Sequence, residues 1–568
     1  MKTRLLALLL VVSPAAADDL VGLWGMERSF GPTLRGDLTI RRDGPVWRAA
    51  IGGVDAPGEE KGDDVRFVFA GEQGELRAHL GQPPSAMWIQ PRTVVNDARY
   101  ASPVILRQLG PGQWRGAVVP LDDEISLYFL FSRKPDGSLE AILRNPEQGR
   151  RGRYRVTVDG DRVGLENVDR LSDAFEGTLD PKTGRLSLRG PSFAFALDLG
   201  RRTRDDAIGF FPRVPAATAY AYQVPRDAHD GWPTASLAAV GMDPAPVATL
   251  VRRLIDVDPV PNDAPLVQGL LVARRGRLVV EEYFFGFHRE RPHDLRSAAK
   301  TFASVLVGAA QAEGVHLSPA DPIASFYRTD GLANPDPRKA KITLAHLMSM
   351  ASGLACDDND DASPGNEEKM YAQEAQPDWL RWALDLPMAA EPGTRYSYCT
   401  AGVNLVGGAV RNATKVWLPE YFRRKVAGPL EIDRFHWPLM PTGEGFAGGM
   451  VIMRPRDLLK IGQLYLDGGV WKGRRVVKQA WIDESTRAHM AVPDGSADGF
   501  DWHLVDLRTA ARSYPAYYAS GNGGQLLIVV PKLEMVIVFT AGNYNRYPIW
   551  RKFRDELAPQ FLLTAAER

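Results

Sequence analysis

Two cysteines among 568 residues, Cys356 and Cys399, are too few for a disulfide-stapled scaffold or a thiolate metal site. HExxH and CxxC patterns are also missing, and the nine histidines are scattered. Metal chemistry is therefore not expected, and neither a metal nor any other cofactor is assigned. Charge of one sign is lacking as well. The 69 basic and 69 acidic side chains balance, without a long single-sign run, which gives no footprint for nucleic acid or an anionic membrane. Beyond the first residues no apolar run is long enough to span a bilayer, so no transmembrane segment is expected in a mature chain.

What is present begins with "MKTRLLALLLVVSPAAADD". Lys2 and Arg4, the apolar run Leu5–Val12 and the small residues Ala15 and Ala17 read as a secretory signal over residues 1–17, cut after Ala17. The mature protein is then expected in a bacterial periplasm or secreted. Residues 18–200 alternate apolar and polar positions between Asp-Gly and Lys-Thr-Gly turns, predicting an all-β domain, a barrel or sandwich. "GLWGMERSFG" and "GQWRGAVVPLDD" echo one another weakly, which admits two related β-halves or unrelated strands with common turns. Residues 201–240, rich in Pro and Ala, read as a linker or surface-hugging connection. From 241 to 568 strands at both ends enclose helical segments. This pattern predicts a mixed α/β (α+β) domain: one antiparallel sheet flanked by helices, with a helical subdomain between.

In "DLRSAAKTFASVLVGAA" Ser297 and Lys300 lie one turn apart at the front of an otherwise apolar helix. Burial disfavours an ammonium, so the pattern predicts a lysine of lowered pKa able to take a proton from the serine hydroxyl. The helix N-terminus would add backbone N–H groups for developing negative charge. His346 sits in the apolar run "TLAHLMSM", and no Gly-x-Ser-x-Gly elbow accompanies it, so it reads as structural. The acidic segment 356–368 lacks EF-hand spacing and reads as a solvated loop at a cleft mouth.

Five segments in order, "RSAAKTFASVLVGAA", "ITLAHLMSMASGL", "EPGTRYSYCTAGVNLVGGAV", "GGMVIMRPRDLLKIGQLYLDGGVWKGRRVV" and "SGNGGQLLIVVPKLEMVIVFTAGN", resemble the serine β-lactamase and penicillin-binding-protein superfamily. The likeness is to its class C-like branch of β-lactamases, esterases and aminohexanoate-oligomer hydrolases, and spans about residues 240–565. The resemblance implies a serine hydrolase forming an acyl-enzyme on Ser297, acting on a small molecule or short peptide. Its second motif, Tyr-x-Asn, falls on Tyr398-Cys399-Thr400, with Tyr398 facing Ser297 and Lys300, so that either the lysine or a Tyr398 phenolate beside it can serve as the base, and with Thr400 replacing the substrate-binding Asn. Its third motif falls on Ala519-Ser520-Gly521, with Ala519 where a Lys or His is usual. It places the Asn522 N–H beside that of Ser297 as an oxyanion hole, with Ser520 and Gly521 against the substrate. It also implies a Cys356–Cys399 disulfide fixing the Tyr398 loop. The two departures leave a second reading open, a non-catalytic protein that captures a peptide, glycan or lipid.

Overall fold

The computed structural model of the protein describes residues 18–31, 34–95, 98–168, 173–214, 219–372 and 377–567. The expected signal segment lies outside them. In strand Asp64–Phe69, "DVRFVF", Val65, Phe67 and Phe69 are buried while their neighbours face solvent. That two-residue period marks a sheet with one wet face. Strands Val267–Arg274, Gln525–Val530 and Met535–Ala541 are instead buried at every position, because helices cover both faces of their sheet.

The N-terminal β-region is built as two interlaced sheets. Strand Gly22–Gly31 pairs with Asp123–Arg133 on one side and Leu197–Arg202 on the other, closing an eight-stranded barrel. Between Gly31 and Asp123 the chain leaves the barrel and lays down the antiparallel strands from Gly36–Asp43 to Gln113–Val118. The echoing segments therefore do not head two equivalent halves. Trp24 packs inside the barrel and Trp114 in the core of the second sheet.

That second sheet does not stop at the connection. Strand Arg99–Val104 pairs with Phe435–Leu439, at Trp437↔Ala101, so a continuous ladder of hydrogen bonds ties the β-region to the second half of the chain. The connecting segment is itself docked: Trp232 is buried and its indole N–H donates to the Arg456 carbonyl at 3.0 Å.

The second half is centred on an eight-stranded antiparallel sheet with Arg277–Tyr283 at one edge and Met490–Ala491 at the other. Alternate residues point to opposite faces. Leu271, Leu527 and Val538 pack with the helices Thr301–Ala312 and Pro455–Leu466, whereas Leu270, Ile528 and Phe539 pack with Pro244–Ile255 and the C-terminal helical segment. The helices from Leu344–Met348 to Thr400–Thr414 form a further helical layer, whose last and longest member packs against Thr301–Ala312. His346 caps its own helix there: the Thr343 hydroxyl accepts from the His346 N–H, and His346 Nδ1 accepts from the Thr343 N–H.

Candidate active site

Ser297 and Lys300 sit on a single 3-10 turn, Arg296–Lys300, that runs into the buried helix Thr301–Ala312. Such a turn has three residues per revolution, so side chains three apart eclipse. The Lys300 ammonium accordingly donates to Ser297 Oγ at 2.9 Å. Arg296 holds a left-handed φ of 48°, uncommon for a residue with a Cβ. Its backbone N–H donates to Asp294 Oδ1 at 2.8 Å, and its guanidinium lies 5.0 Å from the Tyr544 ring centroid.

Tyr398 arrives from the helical layer. Its phenol stands beside Ser297 and Lys300, which both favour its ionised form, and Lys300 Nζ lies 4.9 Å from its ring centroid. The segment carrying it is clamped to the chain after Cys356. The Ser397 hydroxyl donates to the Cys356 carbonyl at 2.7 Å, the Asp358 N–H donates to the Tyr398 carbonyl at 2.9 Å, and Cys356 and Cys399 are joined by a disulfide.

Strand Ser513–Gly521 supplies the facing wall, and Gly521 needs its missing side chain. A Cβ there would stand 2.2 Å from the Leu295 carbonyl oxygen and 3.0 Å from the Ala298 nitrogen. The turn after it is fixed by Asn522, whose amide donates to Asn545 Oδ1 and accepts from the Asn545 N–H, each at 2.7 Å. Ser520 is half-buried and Asn522 exposed, while Ala519 is buried in the core.

Two sequence expectations need correction. The first concerns Lys300. Burial does oppose its charge, but Tyr398, Glu367 and Asp358 act the other way, and its pKa lies above the ordinary lysine value. Burial likewise raises Tyr398, against the pull of Lys300. The resting pair is thus an ammonium beside a neutral phenol, titrating jointly. The second concerns the acidic loop and Thr400. Asp358 and Glu367 turn inward instead of into solvent. Asp358 accepts from the Thr400 N–H at 2.7 Å and from the Glu367 N–H at 3.0 Å, and burial pushes its carboxyl up to about 6. Thr400 is fully buried and its hydroxyl donates to Glu367 Oε2 at 3.0 Å, so it has no exposed atom for a substrate. The carboxylate behind it, not the hydroxyl, acts on Lys300.

Removing that charge gives a readable effect. Activity that needs the Lys300–Tyr398 pair to lose a proton rises with pH through the pair's apparent pKa. Glu367 raises both members, so Glu367→Gln is expected to move the rise in kcat/KM to lower pH by about 1 unit. A rise that stays in place or moves upward in a pH–rate profile would contradict this coupling.

Asp501 is a further acid near Lys300 that the sequence did not single out. Among the described residues neither carboxyl oxygen has a hydrogen-bond partner, and burial pushes its pKa well up. An acid whose pKa is higher folded than unfolded loses stability as pH climbs from the unfolded value toward the folded one. Its φ of 56° also suits asparagine. Asp501→Asn is expected to raise the melting temperature at pH 8 more than at pH 5, read by thermal unfolding at the two pH values.

Residues 264–549 match the family model named Beta-lactamase, and the chain belongs to that family. The chain is similar to a 6-aminohexanoate-dimer hydrolase of Paenarthrobacter ureafaciens, 28% identical over 290 residues, a match covering 47% of this chain and 70% of that protein. Among solved structures, EstCE1, described as a hydrolase with promiscuous acyltransferase activity, has a TM-score of 0.43 at 16% identity, covering 55% of this chain and 97% of its own. The octameric penicillin-binding protein homologue of Pyrococcus abyssi gives 0.42 at 17%, covering 56% and 79%.

Proposed function

We propose that this protein is an exported serine hydrolase that cleaves an ester or an amide through an acyl-enzyme on Ser297. The observation that carries the reading is the convergence of the Ser297 hydroxyl, the Lys300 ammonium and the Tyr398 phenol. With Lys300 held cationic by nearby carboxylates, the phenolate form of Tyr398 is the better acceptor for the Ser297 proton, and the ammonium beside it stabilises that phenolate. Ser297 Oγ then bonds to the substrate carbonyl carbon. The Ser297 and Asn522 N–H groups receive the oxyanion, and Tyr398 returns the proton to the departing alkoxide or amine. Water releases the acid by the reverse sequence. The hydrolase relative named for an aminohexanoate dimer supports amides as well as esters within this chemistry. Export rests on the composition of residues 1–17.

A panel of short-chain p-nitrophenyl esters, an aminohexanoate dimer, D-alanyl peptides and a chromogenic cephalosporin tests the reading, with Ser297→Ala as control. Turnover of at least one ester or amide that vanishes with Ser297 is the expected result. Saturable binding of panel members with none hydrolysed would favour the non-catalytic capture reading.

A further inference from the structure

The β-region reaches the nucleophile's neighbourhood. Gly149, in the barrel connection between Leu139–Arg144 and Arg151–Asp159, lies so close to Tyr544 that a Cβ would stand 1.9 Å from its ring. Tyr544 in turn lies beneath Arg296 and against Gly523 of the third-motif turn. The same connection receives a 2.7 Å hydrogen bond from buried Gln268 to the Pro146 carbonyl, and its Glu147 pairs with Arg291 at 2.8 Å.

Between the two halves lies a cavity of ≈ 810 Å³. Arg296 and Met450 are among the residues that line it. Arg296 directly precedes Ser297, and the Met450 N–H donates to the Arg296 carbonyl at 3.0 Å, so the cavity begins one residue from the nucleophile. Its floor is an apolar cluster of Tyr100, Leu121 and Ile452, drawn from both halves. Its outer wall carries Val94 and Val119, 56% and 43% exposed. Charged groups in the lining are largely paired with one another, Arg291 with Glu147 and Arg296 with Asp294, the latter at 2.9 Å. Glu124, Arg150 and His288 also line the space, and apolar side chains such as Val94, Val119 and Phe287 make up much of the rest.

We infer that the N-terminal β-region is part of the substrate site: it supplies the wall against which an extended apolar chain of the scissile ester or amide lies. The inference rests on the hydrolase reading above and names its substrate class, a carbonyl compound bearing a medium-length to long alkyl chain. A volume of this size suits a ligand far larger than an acetyl group. Filling it from the β-region side should therefore alter chain-length selection more than the chemistry.

The test uses the full-length protein and p-nitrophenyl acetate, butyrate, octanoate and decanoate. The wild type is expected to prefer octanoate to acetate in kcat/KM. Val119→Trp and Val94→Trp, which fill the cavity at exposed positions, should each lower the octanoate-to-acetate ratio at least about tenfold. Val119→Asp should lower it through polarity instead of bulk. Val68→Trp, on an exposed strand position outside the cavity lining, is the control and should leave the ratio unchanged. Melting temperatures check that each variant folds. A ratio unmoved in all three cavity variants, with Ser297-dependent turnover intact, would overturn this inference alone. Failure to detect Ser297-dependent turnover of any ester would overturn it together with the hydrolase reading.

Discussion

Ser297→Ala is expected to lower kcat/KM by about 10⁴-fold or more on any ester or amide that the protein hydrolyses, while shifting the melting temperature by no more than ~2 °C. The size follows from what the hydroxyl does. It is the only atom removed, and no other side chain can take its place as acyl acceptor. Lys300 is buried behind it, and Tyr398 is oriented toward it instead of toward an incoming carbonyl. Residual turnover would come from water attacking within the remaining backbone donors. Stability should hold because Ser297 is half-buried and its hydroxyl chiefly accepts one bond, from Lys300. Steady-state kinetics and a thermal melt on the same preparation check both halves.

Lys300→Met is expected to cost at least about 10³-fold in kcat/KM and, unlike the serine change, a clear loss of stability. Methionine keeps roughly the length and fills the same volume but removes the cation. Two consequences follow from one missing charge. The Tyr398 phenol loses the group that counteracts its burial, so its ionised form becomes scarcer at neutral pH. Asp358 loses a neighbour that lowers its pKa, already pushed up to about 6. Because that carboxyl titrates higher in the folded protein than in the unfolded chain, stability falls as pH rises through this window, and the variant extends the window upward. The drop in melting temperature relative to the wild type should therefore be larger at pH 8 than at pH 5. A drop of equal size at both would point to lost packing alone.

The parts of the site carried by local spacing could be read in the sequence, and those carried by long-range folding could not. Ser297 and Lys300 are three apart, and any helical turn brings them together; the apolar residues after them announce the burial of that turn. Tyr398 and Gly521 come from motifs whose order resembles a known family, and the structure brings both to Ser297. Asp358 and Glu367 were hidden because an acidic, Gly- and Pro-containing segment has the composition of a solvated loop. Their signal lies in position: they belong to the segment that starts at Cys356, whose partner Cys399 adjoins Tyr398, so the bond that anchors one segment draws the other inward. With carboxylates present, the expectation of a deprotonated lysine, which considered burial alone, reverses.

The β-region illustrates the same limit on a larger scale. Alternation in "DVRFVF" identifies a strand with one wet face but does not say which strand it pairs with. Departure of the chain from the barrel after Gly31 and its return at Asp123 is a pairing choice made over some ninety residues. The ladder between Arg99–Val104 and Phe435–Leu439 is a choice made over more than three hundred. Neither leaves a local mark, and with them the contact between Gly149 and Tyr544, which sets the β-region beside the nucleophile, was out of reach.

The most direct measurement is peptide mass mapping of the wild-type protein after reaction with a fluorophosphonate. A single adduct on Ser297, absent from Ser297→Ala and strongly slowed in Lys300→Met, is the predicted result. An adduct on any other residue, or unchanged labelling when Ser297 is replaced, would contradict an acyl-transfer centre built on Ser297, Lys300 and Tyr398.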